Sequence, residues 1–221
     1  MNKKFVFTGV ILMSVLISGV LLAKKNSVPE STLPAESLGP KVRGSAKAPV
    51  EIIEYSDFQC PACQRAQKTL HDIEARYPGQ IRLVYRHFPL SGHQWSGLAH
   101  QAAECAARQN RFWDFQDRLF KDQLLWSTPQ SPADAFIRYA QELGLDLDVF
   151  GVCLADENVK KQVQDEKQSG LASKVNSTPT FFINGERVVG HVELGIKGDA
   201  QIRKILNLEP APVTETAAKP A

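Results

Sequence analysis

The chain has 221 residues, 43% of them hydrophobic and 23% charged, the balance of an ordinary globular protein with one domain or one domain and an insertion. A net charge of +2 leaves no broad basic field, which argues against nucleic acid as a partner. Its four cysteines are an even number, and two of them, Cys60 and Cys63, stand three positions apart.

Taken in order, the chain opens on a short basic stretch, Met1-Asn2-Lys3-Lys4, and an uncharged apolar run from Phe5 to Ala23. At ~1.5 Å per residue that run spans roughly 28 Å, close to a bilayer core. It ends Leu22-Ala23-Lys24-Lys25 without an Ala-x-Ala site. An uncleaved signal anchor over 1–25 is therefore expected, with a cleaved signal peptide and a secreted protein as the alternative. Residues 26–48, with Pro29, Pro34 and Pro40 and no aromatic, read as a flexible linker. The end, 209–221, reads as a disordered tail.

The folded part is expected over 49–208. Val50 to Ser56 and Gln80 to Phe88 read as strands, joined by an amphipathic helix from Pro61 to about Arg76, so a parallel βαβ unit is predicted. A helical block follows, at about 93–173. Trp95, Leu98, Ala99, Ala102 and Ala106 share one face, Phe112, Phe115 and Leu119 another, and Trp126 to Pro132 reads as a break. Asp146 and Asp156 are candidate N-caps. Sheet signals return from Val175, and Asn184-Gly185 between β-rich runs predicts a hairpin. A last helix is expected over about Asp199 to Leu208.

The chemistry concentrates at Phe58-Gln59-Cys60-Pro61-Ala62-Cys63, where a strand gives way to a helix. Two thiols in the first turn of a helix can close and reopen a disulfide. The unpaired N–H groups and the dipole of the helix stabilise a thiolate there. Pro61 suits the first turn, which needs no N–H. Cys60 reads as the attacking thiol and Cys63 as the resolving one. A zinc half-site is the rival reading, but it lacks a second ligand pair, since Cys105 and Cys153 stand far apart, so no metal is expected. Glu54 sits six residues before Cys60 inside an apolar strand, where a carboxylate is costly without a task or a partner; Arg82 and Arg86 are candidate partners. His87, His93, His100 and His191 form no metal-binding spacing and read as surface or cap residues. Trp95, Trp113 and Trp126 read as core packing.

Four segments together resemble the DsbA-like family of extracytoplasmic thiol–disulfide oxidoreductases: the Cys60 motif after its strand, Arg86-His87-Phe88-Pro89-Leu90, Ala103-Glu104-Cys105-Ala106 with Phe112-Trp113, and Thr178-Pro179-Thr180-Phe181-Phe182-Ile183-Asn184-Gly185. The resemblance implies an α/β thioredoxin fold with an inserted all-helical subdomain. It implies a cis Thr178–Pro179 bond against the cysteines, with the Thr178 backbone and the Pro61-Ala62 pair meeting substrate. It implies a proton role for Glu54 at Cys63, and a structural bond between Cys105 and Cys153; read from the residues alone, those two are equally free buried cysteines. It implies no cofactor, exported substrates with cysteine pairs, and a membrane quinone-linked reoxidant of the DsbB or VKOR kind. The expected activity is oxidation of dithiols to disulfides. A reductase or isomerase of the same fold, or a non-catalytic peptide-binding module, is the alternative. Pro61-Ala62 lacks the histidine of the strong oxidants, which weighs toward a lower potential.

Overall fold

A computed structural model describes residues 41–128 and 130–209. The expected anchor, most of the expected linker, and the tail beyond Glu209 lie outside the described residues. Five strands form one sheet: β1 (Val42–Gly44), β2 (Val50–Ser56), β3 (Ile81–His87), β4 (Thr180–Ile183) and β5 (Glu186–Val189), in the order β1-β3-β2-β4-β5. β2 and β3 are parallel and joined by α1 (Pro61–Arg76); the other pairs are antiparallel.

The linker expected to run to Ala48 stops earlier, because Val42–Gly44 is a strand paired with β3 in the register Val42↔Val84. Its apolar signal is a single valine, so pairing with β3 supplies what local sequence does not. Val50 and Ile52 on β2 pack into one core with Ala66, Leu70 and Ile73 of α1, the period of a strand meeting that of a helix. Tyr55 points to the opposite face, with Phe88 and Val175. There the helix α7 (Glu157–Ala172) approaches closely. A Cβ on Gly170 would stand 2.7 Å from the Phe88 ring, so only glycine fits.

The helical block between β3 and β4 holds α2 (Ser96–Ala107), α3 (Phe112–Lys121), α4 (Gln123–Ser127), α5 (Ala133–Glu142), α6 (Leu147–Leu154) and α7 (Glu157–Ala172). Asp146 and Asp156 cap α6 and α7 by accepting from backbone N–H groups two or three residues on. The break expected from Trp126 to Pro132 starts only after Ser127, where the short α4 ends. The buried indole of Trp126 donates to the Leu119 carbonyl at 2.7 Å, which holds this turn against α3. A disulfide joins Cys105 on α2 to Cys153 on α6. Phe112, Phe115, Trp126, Phe136 and Phe150 fill the core of the block.

The strand expected from Val175 begins only at Thr180. Asn184 and Gly185 take φ of +45° and +88°, the conformation of a two-residue hairpin turn. The final helix α8 (Asp199–Ile205) is preceded by helical turns from His191, so the terminal helical segment starts earlier than its apolar pattern indicated.

Candidate active site

Cys60 is the N-cap residue of α1 and Pro61 opens the helix. The Cys60 carbonyl accepts from Cys63 N at 3.1 Å and Gln64 N at 3.2 Å, which anchors the tight turn carrying both thiols. The two cysteines are free thiols. Cys60 retains 7% of its surface and Cys63 none, so only Cys60 can be reached from outside. The Thr178–Pro179 bond is cis, and Cys60 Sγ donates to the Thr178 carbonyl at 3.5 Å. The structure thus brings together Cys60, Cys63, Pro61, Ala62, Thr178 and Pro179.

The two sulfurs face opposite electrostatics. The thiol of Cys63 donates toward Cys60 and does most to lower the Cys60 thiol to about 5. Burial opposes this, while the Thr178 side chain and the backbone N–H groups of Cys63 and Ala62 assist. Burial, and then the neighbouring Cys60, push Cys63 well above an ordinary thiol. One sulfur is a ready thiolate and the other a protonated reserve.

Glu54 lies on β2 with its carboxyl fully buried, and burial raises it to about 7. Neither expected arginine reaches it. Arg82 pairs with Glu51, and Arg86 lies 3.5 Å from Glu166, because alternate β3 side chains turn to the opposite face of the sheet. Its partner is an amide. Gln67 Nε2 on α1 donates to Glu54 Oε1 at 3.0 Å and to the Cys63 carbonyl at 3.5 Å, and Gln116 Nε2 donates to Gln67 Oε1 at 2.8 Å.

Asp57 was not anticipated. Its backbone N–H donates to Cys63 Sγ at 3.4 Å. Its buried carboxylate accepts from Gln59 N, Leu90 N, His93 Nδ1 and Ser96 Oγ, each at 2.8 Å. An acid between Ser56 and Phe58, so near the cysteines, is the signal that pointed to it.

The histidines correct the surface reading. His87 and His100 are both fully buried, and their Nδ1 atoms share a hydrogen bond of 2.6 Å. His87 Nε2 donates to Glu104 at 3.0 Å, and Lys41 Nζ stands 2.7 Å from Glu104 and 2.5 Å from Glu166. Burial, with the cation of Lys41, keeps both rings neutral. The period-2 position of His87 on β3 implied burial. Its side-chain partners come from α2, and its backbone N–H donates to Glu166 of α7, all out of reach of local pattern. Among the described residues, no group of three or more His, Cys, Asp or Glu is placed to hold a metal ion, and no helix is long and apolar enough to cross a membrane.

Known proteins place this arrangement. A family model described as thioredoxin matches residues 36–201. The chain is 37% identical over 168 residues to the Na(+)/H(+) antiporter NhaA 3 of Salinispora tropica, and 36% identical over 168 residues to NhaA 1 of Salinispora arenicola. Each match covers 76% of this chain but 25% of the relative, so the chain spans about a quarter of the length of these curated proteins. Among solved structures, oxidised BdbD from Bacillus subtilis superposes with a TM-score of 0.68 at 22% identity, covering 76% of this chain and 94% of that one. Wolbachia pipientis alpha-DsbA1 gives 0.67 at 23%, covering 76% and 90%. A thioredoxin-like oxidoreductase from Silicibacter pomeroyi gives 0.61 at 25%, covering 75% and 89%. The matched family model, the βαβ…ββα sheet and the helical block set between β3 and β4 make this chain a member of the thioredoxin family with the DsbA-like fold, a fold that supports thiol–disulfide oxidoreductase activity.

Proposed function

We propose that this chain is an extracytoplasmic thiol–disulfide oxidoreductase that oxidises substrate dithiols. The observation that carries this reading is the asymmetry of the two sulfurs: a reachable Cys60 lowered to about 5, beside a sealed and protonated Cys63. A substrate thiolate attacks Cys60 Sγ of the oxidised pair. Cys63 leaves and takes up a proton, and a mixed disulfide forms. The second substrate thiolate then attacks the substrate sulfur of that bond, expelling Cys60 as a thiolate. A low leaving-group pKa speeds this last step and stabilises the reduced protein, which makes the oxidised form a stronger oxidant. Here the cap position and Cys63 supply that stabilisation, without a histidine between the cysteines. Glu54, through its place beneath the pair, exchanges the proton with Cys63.

An extended substrate pairs with the backbone beside Cys60 at Thr178 as an added strand, and Pro179, having no N–H, presents its ring there. The apolar stretch from Phe5 to Ala23 supports a membrane anchor with the domain outside the cytoplasm. The Cys105–Cys153 bond suits such an oxidising compartment. Reoxidation there falls to a quinone-linked membrane partner of the DsbB or VKOR kind.

A reductase or isomerase is the second reading, favoured by Pro61-Ala62, which adds no charge beside the thiolate. A redox titration of Cys60–Cys63 against glutathione separates them. The oxidase reading expects a potential clearly above the roughly −270 mV of thioredoxin, and a value near that figure overturns it. Refolding of a reduced substrate with Cys60→Ser as control tests catalysis itself. Undiminished activity in that variant leaves only a peptide-binding module.

A further inference from the structure

Glu54 and Ser56 occupy alternate positions of β2 and so share the face that α1 covers. Both are fully buried, as is Cys63 in the first turn of α1 above them. The Cys63 sulfur is held at the end of β2, since the residue after Ser56 donates its backbone N–H to it at 3.4 Å. Ser56 thus sits on β2 between Glu54 and the residue that holds the Cys63 sulfur, and its hydroxyl favours the ionised form of both acids. Gln67 engages Glu54 Oε1 and leaves Oε2 without a hydrogen bond. Ser56 Oγ is likewise buried with none. Two orphaned polar oxygens so close to a buried thiol are costly for the fold, and a hydroxyl rotates between donor and acceptor roles at little cost.

We propose that Ser56 is the proton relay between Cys63 and Glu54, an inference that rests on the exchange chemistry above. When Cys63 must attack, its S–H bond breaks and the proton passes to Ser56 Oγ. The Ser56 proton moves in the same event to the Glu54 carboxylate, leaving a Cys63 thiolate, an intact serine and a protonated Glu54. The Cys63 thiolate then attacks Cys60 Sγ of a mixed disulfide, forming the Cys60–Cys63 bond and expelling the other thiol as a thiolate. In the oxidising direction the same protons run back to the departing Cys63.

The other titratable and charged groups around the site do not compete. Tyr85 of β3 is held protonated by burial and the nearby Glu54 carboxyl, and its hydroxyl donates to the Ser56 carbonyl at 3.5 Å. Both His87 ring nitrogens are occupied, by His100 and Glu104. The Asp57 carboxylate already accepts four hydrogen bonds. Cys60 is the other sulfur of the reacting pair, and Arg43 and Glu74 act on Glu54 only as minor electrostatic influences.

The test is stopped-flow exchange of the reduced full chain with glutathione disulfide, with acid quench and mass spectrometry counting the glutathione adduct. The phase that depends on glutathione disulfide concentration reads attack by Cys60. The concentration-independent plateau reads resolution by Cys63. Ser56→Ala removes a hydroxyl that makes no hydrogen bond, and iodoacetamide alkylation of Cys60 verifies that the site is intact. The expected result is an attack phase within about twofold of the parent and a plateau slowed about tenfold or more, within the range of general acid–base catalysis. Glu54→Gln slows the same plateau. A Ser56→Ala plateau within about twofold of the parent, with Glu54→Gln still slow, means direct transfer and overturns the relay. Equal slowing of both phases in Ser56→Ala means general distortion and also overturns it. If the parent protein forms no adduct at all, the exchange reading fails and the relay falls with it.

Discussion

Cys60 Sγ lies 3.5 Å from the Thr178 carbonyl oxygen, across 118 residues of chain. The contact joins the start of α1 to the residue pair preceding β4, where the proposed substrate strand would meet the Cys60 sulfur. Cys63 completes the pair from within, as the largest influence lowering the Cys60 thiol.

The Cys60 thiolate is therefore expected to titrate near pH 5. Its alkylation rate should follow a single step at that pH, because only the thiolate reacts. Cys63→Ala removes the leading hydrogen bond and should move the step upward by about one unit or more, toward the ~8.5 of a free cysteine. Cys63→Ser should accumulate mixed disulfides between Cys60 and dithiol substrates, visible on non-reducing gels. An alkylation step near pH 8.5 in the parent protein contradicts the assigned asymmetry.

Glu54 should oppose stability above neutral pH. Its folded value is raised from 4.5 to about 7, so the folded state binds the proton more tightly than the unfolded chain. The favourable contribution is complete below about pH 4.5 and is lost as pH rises through about 7. Glu54→Gln should then raise the unfolding free energy measured in urea at pH 8, by up to about 3 kcal/mol, and its advantage should shrink toward pH 4. A variant less stable than the parent at pH 8 contradicts this account.

Asp57 is a buried acid whose hydrogen bonds the fold needs. Asp57→Ala leaves two backbone N–H groups, the Ser96 hydroxyl and His93 without their acceptor. A loss of about 3–5 kcal/mol is expected, the scale for stripping a buried carboxylate from its donors. The loop carrying Cys60 loosens with it, so the alkylation step of Cys60 should broaden or rise. Thermal unfolding and the alkylation profile read the two effects separately.

The Cys105–Cys153 bond ties α2 to α6 across a sequence separation of 48. Chain-entropy arguments give a loop of that length roughly 4 kcal/mol through restriction of the unfolded state. Cys105→Ala with Cys153→Ala should lower the unfolding free energy by about 2–4 kcal/mol, and the Cys60 alkylation midpoint should stay in place. A shift of that midpoint would mean that the bond also sets the geometry of the active site.

Some of the fold was legible in short stretches. The strand Val50–Ser56, the helix from Pro61 and the Asn184-Gly185 turn follow from period, capping and turn chemistry, which act over a few residues. The caps at Asp146 and Asp156 are of the same kind. β1 escaped notice because a three-residue edge strand has almost no period to read, and β3 defines it.

The Cys-x-x-Cys spacing at a helix start already places one sulfur at the cap and the other a turn inside. The groups that flank the two sulfurs come from elements far apart in the chain. Gln67 rather than an arginine partners Glu54, and the buried side chain of Asp57 fastens the loop. His87 and His100 leave the surface for a buried pair. In each case the deciding partner comes from another element, brought near by packing. Burial then removes water as the alternative partner, and no pattern along one strand or helix records which distant group takes its place.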